Sequence, residues 1–275
     1  MKNTLNLDQK YACVTIDIEK DYGDRVDAFN IYKDTPEELN NIGRLFKSTG
    51  VPLSLFITTS LLNENKGLIK YLYLLGTDFH CHSHTHNTIH PNSHQEITRS
   101  FETFKDYFSF EPQGYRAPQG VITTKDMERL KDAGFSFSSS IFPSFRPGKF
   151  NNTSYDSSPL IYENNFIEIP FAVINKLKII VSASYQKLLG IKISKKLYEH
   201  YGLPNILIYD SHLHDFIINN KSFAKLKYPM KGVYSINKYN GKKITFSFIN
   251  YLKDCGYEFI TISKLYEKLA YKYIL

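Results

Sequence analysis

Lys47-Ser-Thr-Gly50-Val-Pro-Leu-Ser-Leu-Phe-Ile57 decides the fold class. A helix-like segment ends in Gly, and an apolar strand rich in β-branched and aromatic residues starts at once. The arrangement returns as Lys131-Asp-Ala-Gly134-Phe-Ser-Phe137, and again as Lys253-Asp-Cys-Gly256-Tyr-Glu-Phe259-Ile-Thr-Ile262. Each Gly stands where the residue after a helix adopts positive φ. A helix that runs directly into a strand is the αβ half of a βα unit, so a parallel sheet or barrel is expected rather than an all-α or all-β fold.

Further elements extend the pattern. Tyr11–Ile16 reads as a buried strand and Thr35–Ser48 as a helix, opened by Thr35-Pro36 with Glu37 and Glu38 in its first turn. Ser93–Phe108 carries Ile97, Phe101, Phe104 and Phe108 at near-helical spacing. Strands are predicted to end at Cys81 and Arg116, an apolar strand spans Asn205–Tyr209, and another spans Tyr257–Ile262. Pro143–Ser158, rich in Pro, Ser, Asn and Gly, reads as a long irregular loop of the kind that is functional or mobile. One domain over residues 1–275 is expected, with a helical insertion at about 175–202.

Composition narrows the class. The chain has 275 residues, 42% apolar and 22% charged, which excludes a disordered chain, a collagen-like repeat and a disulfide miniprotein. Lys and Arg number 34 against 27 Asp and Glu, a formal charge of +7, read as a solvated lysine surface spread along the chain, against the alternative of anionic partners or an anionic membrane face. No nucleic-acid-binding motif accompanies it, so no nucleic-acid partner is expected. Cys13, Cys81 and Cys255 are too scattered for a disulfide framework. The first ten residues lack the apolar core of a signal peptide, and Phe166–Ile193 is interrupted by Glu168, Lys176, Lys178 and Lys187. A cytoplasmic location is expected.

Polar residues gather just after the predicted strands. Thr15-Ile-Asp17-Ile-Glu19-Lys-Asp21 places Asp17 and Glu19 two apart, so on an extended chain both carboxylates face one side. Two acids there are costly unless a cation or a reaction uses them; the plain alternative is a solvated acidic loop. Phe79-His80-Cys81-His82-Ser83-His84-Thr85-His86 holds four His in seven residues. The i,i+4 spacing of His82 and His86 lets two imidazoles converge on one metal over a helical turn or tight loop, against the alternative of a solvated His-rich loop. Tyr115-Arg116-Ala-Pro-Gln-Gly120 and Ile208-Tyr-Asp210-Ser-His212-Leu-His214-Asp215 each follow an apolar strand. An Arg so placed can pair with a carboxylate, or simply form a surface salt bridge.

In this order the segments resemble the polysaccharide deacetylase superfamily of metal-dependent carbohydrate esterases. Asp17 matches the first Asp of the family's opening motif, His82-Ser-His-Thr-His86 its metal motif, Arg116-Ala-Pro-Gln-Gly120 its Arg-x-Pro-x-Gly motif, and Leu213-His214 its late Leu-His motif. Phe137-Ser-Ser-Ser-Ile-Phe-Pro143 and Ile167-Glu-Ile-Pro170 are similar to elements of particular branches. Two positions depart from the pattern. Ile18 stands where the commoner opening motif has a second Asp, so the acidic metal ligand is Glu19 or Asp21. Ser138 stands where an Asp would orient the late His; either Asp210 or Asp215 takes that role, or the His is less activated.

The resemblance implies a distorted (β/α) barrel of about seven strands with its site at the strand C-termini. It implies removal of an N-acetyl or similar acyl group from an amino sugar, with a divalent metal, most simply Zn2+, on Glu19, His82 and His86. Asp17 would be the general base, Arg116 its tether, and His214 the proton donor, with His212 the competing choice. Alternatives are another C–N amide hydrolase, such as a deformylase on a lipid-linked sugar, or a non-catalytic metal-binding barrel. The partner expected is a carbohydrate bearing an acylated amine, with peripheral membrane contact if that substrate is lipid-linked.

Overall fold

The computed structural model describes residues 2–20, 22, 35–64 and 66–275. The core is a sheet of strands in the order β1-β9-β10-β6-β5-β4-β3-β2-β13. The central strands are β2 (Tyr11–Ile18), β3 (Leu53–Ile57), β4 (Asp78–Cys81), β5 (Gly114–Tyr115), β6 (Phe137–Ser138), β10 (Ile167–Glu168) and β13 (Ile206–His212). All neighbouring pairs among these seven strands are parallel. At one edge β9 (Leu160–Tyr162) and β1 (Lys2–Thr4) add antiparallel strands, and β14 (Glu258–Phe259) pairs with the start of β2. The α/β parallel architecture expected from the helix–Gly–strand units is present. Among the described residues no ladder closes the ring. The segment after β10 instead reaches β13 through single contacts: Ala172 N–H donates to the Ile208 carbonyl at 3.2 Å, and Ser182 bridges Asp210.

The helices crossing between strands are α1 (Pro36–Ser48), α2 (Lys66–Leu74), α3 (His94–Phe108) and α4 (Thr124–Asp132). They bury periodic faces; in α1 these are Leu39, Ile42, Gly43 and Phe46. Gly50, Gly134 and Gly256 all adopt positive φ, and in each unit the next residue's N–H reaches back to the helix: Val51 to the Phe46 carbonyl, Phe135 to Leu130, Tyr257 to Leu252. The Gly N–H bonds as well, Gly50 to the Lys47 carbonyl, Gly134 to Lys131 and Gly256 to Lys253, and the two hydrogen bonds together form a Schellman cap, which turns the chain straight into the following strand. A fourth copy closes α2 at Gly76, with Thr77 N–H on the Leu72 carbonyl.

Strand alternation separates two cores. On β2, Ala12, Val14, Ile16 and Ile18 pack on the helical layer with Leu39 and Phe46. Tyr11 and Cys13 lie in the other core, with Phe56, Phe137, Ile206, Ile208 and the closing helix α11 (Ile262–Tyr273), whose Ile262, Leu265 and Leu269 fill the N-terminal end of the sheet. Further along that same face of β2 come Thr15 and Asp17. On β13 the matching face runs Ile206, Ile208, Asp210, His212. One face of the sheet is therefore apolar at its N-terminal end and charged at its C-terminal end, as period-two side-chain placement requires.

Between β6 and β9 lies a small hairpin of β7 (Phe145–Arg146) and β8 (Phe150–Asn151), inside the stretch expected to be irregular. After β10 a second hairpin, β11 (Val173–Ile174) and β12 (Ile179–Ile180), leads into α5 (Ala183–Leu189) and α6 (Ile191–Tyr201). Beyond β13 come α7 (Leu213–Phe216), α8 (Asn220–Lys225), α9 (Met230–Ser235) and α10 (Gly241–Asp254). A Cβ at Gly241 would collide with the Asp215 carbonyl oxygen, so α10 meets α7 closely only because residue 241 is Gly. Gly241→Ala is expected to destabilise the fold by about 1–3 kcal/mol through overpacking, seen as a lower thermal midpoint; an unchanged midpoint would mean the two elements separate freely.

Candidate active site

Four strand ends meet at one cavity of about 420 Å³. Asp17 comes from β2 and Glu19 from just beyond it, His82 and His86 from the loop after β4, Arg116 from the residue after β5, and Asp210 and His212 from the end of β13. Register brings them together: Asp17 pairs with His212 across β2 and β13, His82 N–H continues the ladder to the Ile57 carbonyl, and Arg116 N–H to the Cys81 carbonyl.

Glu19, His82 and His86 are all buried, and one ligand atom from each lies within 4.8 Å of the others. Glu19 Oε2 is 2.8 Å from His86 Nε2 and 3.5 Å from His82 Nε2. Burial alone would raise the Glu19 carboxyl, but the two histidines outweigh it and hold the group well below the usual carboxylate range. His82 Nδ1 lies 3.0 Å from the Arg116 carbonyl, an acceptor only, so Nδ1 carries a hydrogen and Nε2 is the nitrogen that faces the cluster. Two imidazole nitrogens and a carboxylate oxygen are a donor set that fits zinc and similar borderline cations. Asp21, the other acid of the opening segment, lies outside the described residues.

The His82–His86 loop is tight rather than helical. Ser83 and His86 both have positive φ, and Ser83 Oγ accepts from His86 N–H at 3.0 Å. Glu96, in the first turn of α3, holds the loop from outside. Its carboxylate accepts the N–H groups of His84 and Thr85 at 3.0 and 2.8 Å and the Thr85 hydroxyl at 2.6 Å. His84 turns away from the cluster, its Nδ1 lying 3.0 Å from the Thr59 hydroxyl, as its i+2 position requires. The sequence pattern does not mark Glu96 as a site residue; the Ser93-x-x-Glu96 spacing is its only trace, and that spacing signals a helix start rather than a site.

Arg116 is the largest fully buried side chain among the described residues. Its Nη1 donates to Asp17 Oδ1 at 2.6 Å, to Thr15 Oγ1 at 3.0 Å and to Asp210 Oδ1 at 3.3 Å; Nε donates to the Ser139 carbonyl at 3.0 Å. The guanidinium stacks between Phe56 and Phe171, 3.8 and 4.5 Å from the ring centroids. Asp17 Oδ2 is left facing His82 Nε2 at 3.7 Å and His212 Nε2 at 3.9 Å.

The two late histidines part company. β13 continues to His212, and α7 starts at Leu213 with Asp215 accepting the His212 N–H at 3.0 Å. They therefore do not alternate on one extended strand. His212 faces Asp17 and Glu19, with Nδ1 4.0 Å from Asp210 Oδ2 and 3.9 Å from Asp215 Oδ2. Burial would lower it, yet Asp210, Glu19, Asp17 and Asp215 push it up to about 9. His214 is buried, stacked on His212 and Tyr22 and edge-on to Tyr234, and burial drives it down to about 3. At Ser138 the hydroxyl bonds Ser140 Oγ at 2.7 Å; the carboxylate nearest the His212 ring on the strand itself is Asp210. Lys187, expected to be a charge interrupting an apolar run, is buried against Asp215 at 3.3 Å.

Residues 8–138 match the family model described as polysaccharide deacetylase, a span that contains the Asp17–Glu19, His82–His86 and Arg116 segments in order. The match supports the polysaccharide deacetylase superfamily over just under half of the chain. Solved structures agree in fold. A Mycobacterium smegmatis protein described as a candidate polysaccharide deacetylase is 14% identical, with a TM-score of 0.62 over 99% of this chain and 95% of that one. A polysaccharide deacetylase from Bacillus cereus is 12% identical, with a TM-score of 0.53 over 92% of each chain. An allantoinase is 11% identical, with a TM-score of 0.59 over 96% of this chain and 91% of that one. No curated protein matches the sequence. The deacetylase model ends at Ser138, so His212 at the end of β13 and His214 in α7 both fall outside the matched span.

Proposed function

We propose that this deacetylase-family protein hydrolyses the amide of an acylated amino sugar, most simply an N-acetyl group, with a zinc-class divalent cation held by Glu19, His82 and His86. The observation that carries the reading is the convergence of that buried donor set with the Arg116–Asp17 pair and His212 on one cavity. A cation bound there polarises the amide carbonyl and lowers the pKa of water.

The chain's own residues do the rest. Arg116 occupies Asp17 Oδ1, so Oδ2 is the oxygen that takes the proton of the attacking water. His212 gives a proton to the departing amine. Its imidazolium persists up to about pH 9, so the donor is loaded at neutral pH and is lost as pH rises through that value. Asp210 faces its Nδ1 and stabilises the charged ring. In this reading the donor role expected of His214 passes to His212, because a histidine held near 3 is neutral and has no proton to spare at neutral pH.

The test is release of acetate or formate from a panel of acylated amino sugars, with and without chelator. His212→Ala is expected to cut kcat by about 10²–10⁴, and His214→Ala to leave it within about tenfold. Turnover untouched by chelator would overturn the metal assignment. Loss of turnover in His214→Ala but not in His212→Ala would return the donor role to His214.

A further inference from the structure

Across the whole chain the lysines look dispersed, but one segment does not share that balance. From Phe216 to Lys253 there are eight Lys and no Asp, Glu or Arg; the remaining residues hold 26 basic and 27 acidic side chains. This one segment therefore accounts for the whole positive excess of the protein. Lys221, Lys225, Lys231 and the Lys242–Lys243 pair fall on α8, α9 and the start of α10, and Lys227 and Lys238 on the turns between these helices.

The same surface exposes apolar and aromatic side chains. Tyr228 is 80% exposed, Tyr239 74%, Ile236 42% and Val233 37%. Helix α9 buries no residue at all, and its Met230, Val233 and Tyr234 line the cavity of the candidate active site. Phe145, Tyr185 and Leu188 line the same cavity and are themselves exposed. Lys238 lays its Nζ 3.6 Å from the Phe223 ring centroid, a cationic head on an aromatic body. An apolar rim on three separate elements, next to a basic face, marks an interaction surface rather than scattered exposure.

We propose that the 220–243 surface docks on a membrane carrying anionic lipid, with the cavity mouth turned to the headgroup layer. A bilayer surface uses both components: anionic headgroups meet the lysines, and tyrosine and aliphatic side chains enter the boundary region. A nucleic acid would use the lysines but leave Val233, Ile236, Phe145 and Leu188 in water, since phosphate contacts dominate its binding.

The experiment is co-sedimentation of the full chain with phosphatidylcholine vesicles, pure or one-third phosphatidylglycerol. Binding is expected to the anionic vesicles and to weaken with salt. The triple variant K221Q/K225Q/K227Q is expected to lose about a hundredfold in partitioning. Tyr228→Ser with Ile236→Ser is expected to abolish the part that survives high salt. The matched control K264Q/K268Q/K272Q changes α11 at the opposite end of the sheet and is expected to stay within about twofold of wild type. Equal binding to both vesicle types, equal loss in the control, or retention on DNA without vesicle binding would each overturn the proposal. The readout needs no turnover, so it stands apart from the outcome of the amide-hydrolysis assays.

Discussion

Asp17→Asn is expected to lower kcat by about 10²–10⁴ with the fold retained. Asp17 offers one oxygen to Arg116 at 2.6 Å and keeps the other at the cavity, near His82 and His212. An amide of the same shape keeps its oxygen on the guanidinium and turns an NH2 toward the cavity, where a proton acceptor is needed. Binding of a cation by Glu19, His82 and His86 uses none of the Asp17 atoms, so metal content is expected to remain. Single-turnover acyl release measured beside metal analysis separates the two effects. An Asp17→Asn protein with wild-type turnover would remove Asp17 from the mechanism, and one that had lost its metal would make Asp17 a ligand instead of a base.

Arg116→Ala is expected to cost about 3–5 kcal/mol of stability, because it strips the cation from two buried carboxylates. For a chain of this size that is a fall in Tm on the order of 10 °C. The loss is pH-dependent. Burial, and then the neighbouring Asp17 charge, push the Asp210 carboxyl up to about 7 even with Arg116 present. An acid with a raised folded-state pKa binds its proton more tightly folded than unfolded, so stability declines as pH rises from the unfolded value of ~3.9 toward 7. Without Arg116 that penalty grows. The variant is therefore expected to lose most at pH 8 and less at pH 5.5, where Asp210 is protonated. Denaturant titrations at both values check this, and an equal loss at the two would mean that Arg116 acts through its packing between Phe56 and Phe171 alone. Arg116→Lys keeps a charge but not the planar fork that spans Asp17, Asp210 and the Ser139 carbonyl, so partial recovery is expected.

Local pattern was enough for much of this protein. The Gly50, Gly134 and Gly256 stops announce parallel βα units, because a left-handed residue after a helix is a requirement of the backbone itself. The two-residue spacing of Asp17 and Glu19 and the four-residue spacing of His82 and His86 place each pair on one side of a strand end or loop. These are short-range facts of chain geometry, and the family's motifs are written in them.

What distinguishes His212 from His214 is not local. It depends on where β13 stops, and β13 stops because Asp215 captures the His212 N–H while Lys187 and Ser184, about thirty residues earlier, hold Asp215 in place. The depth of Arg116 is decided by Thr15 and Asp17, 101 and 99 residues earlier, and by Asp210, 94 residues later. Glu96 reaches the metal-motif loop only because α3 packs beside it. Periodicity tells which face a side chain occupies; it carries no information about which distant strand lies alongside, in what register, or what fills the space between. Those are settled by helix crossovers and by packing of the two cores, and they exist only in the folded chain.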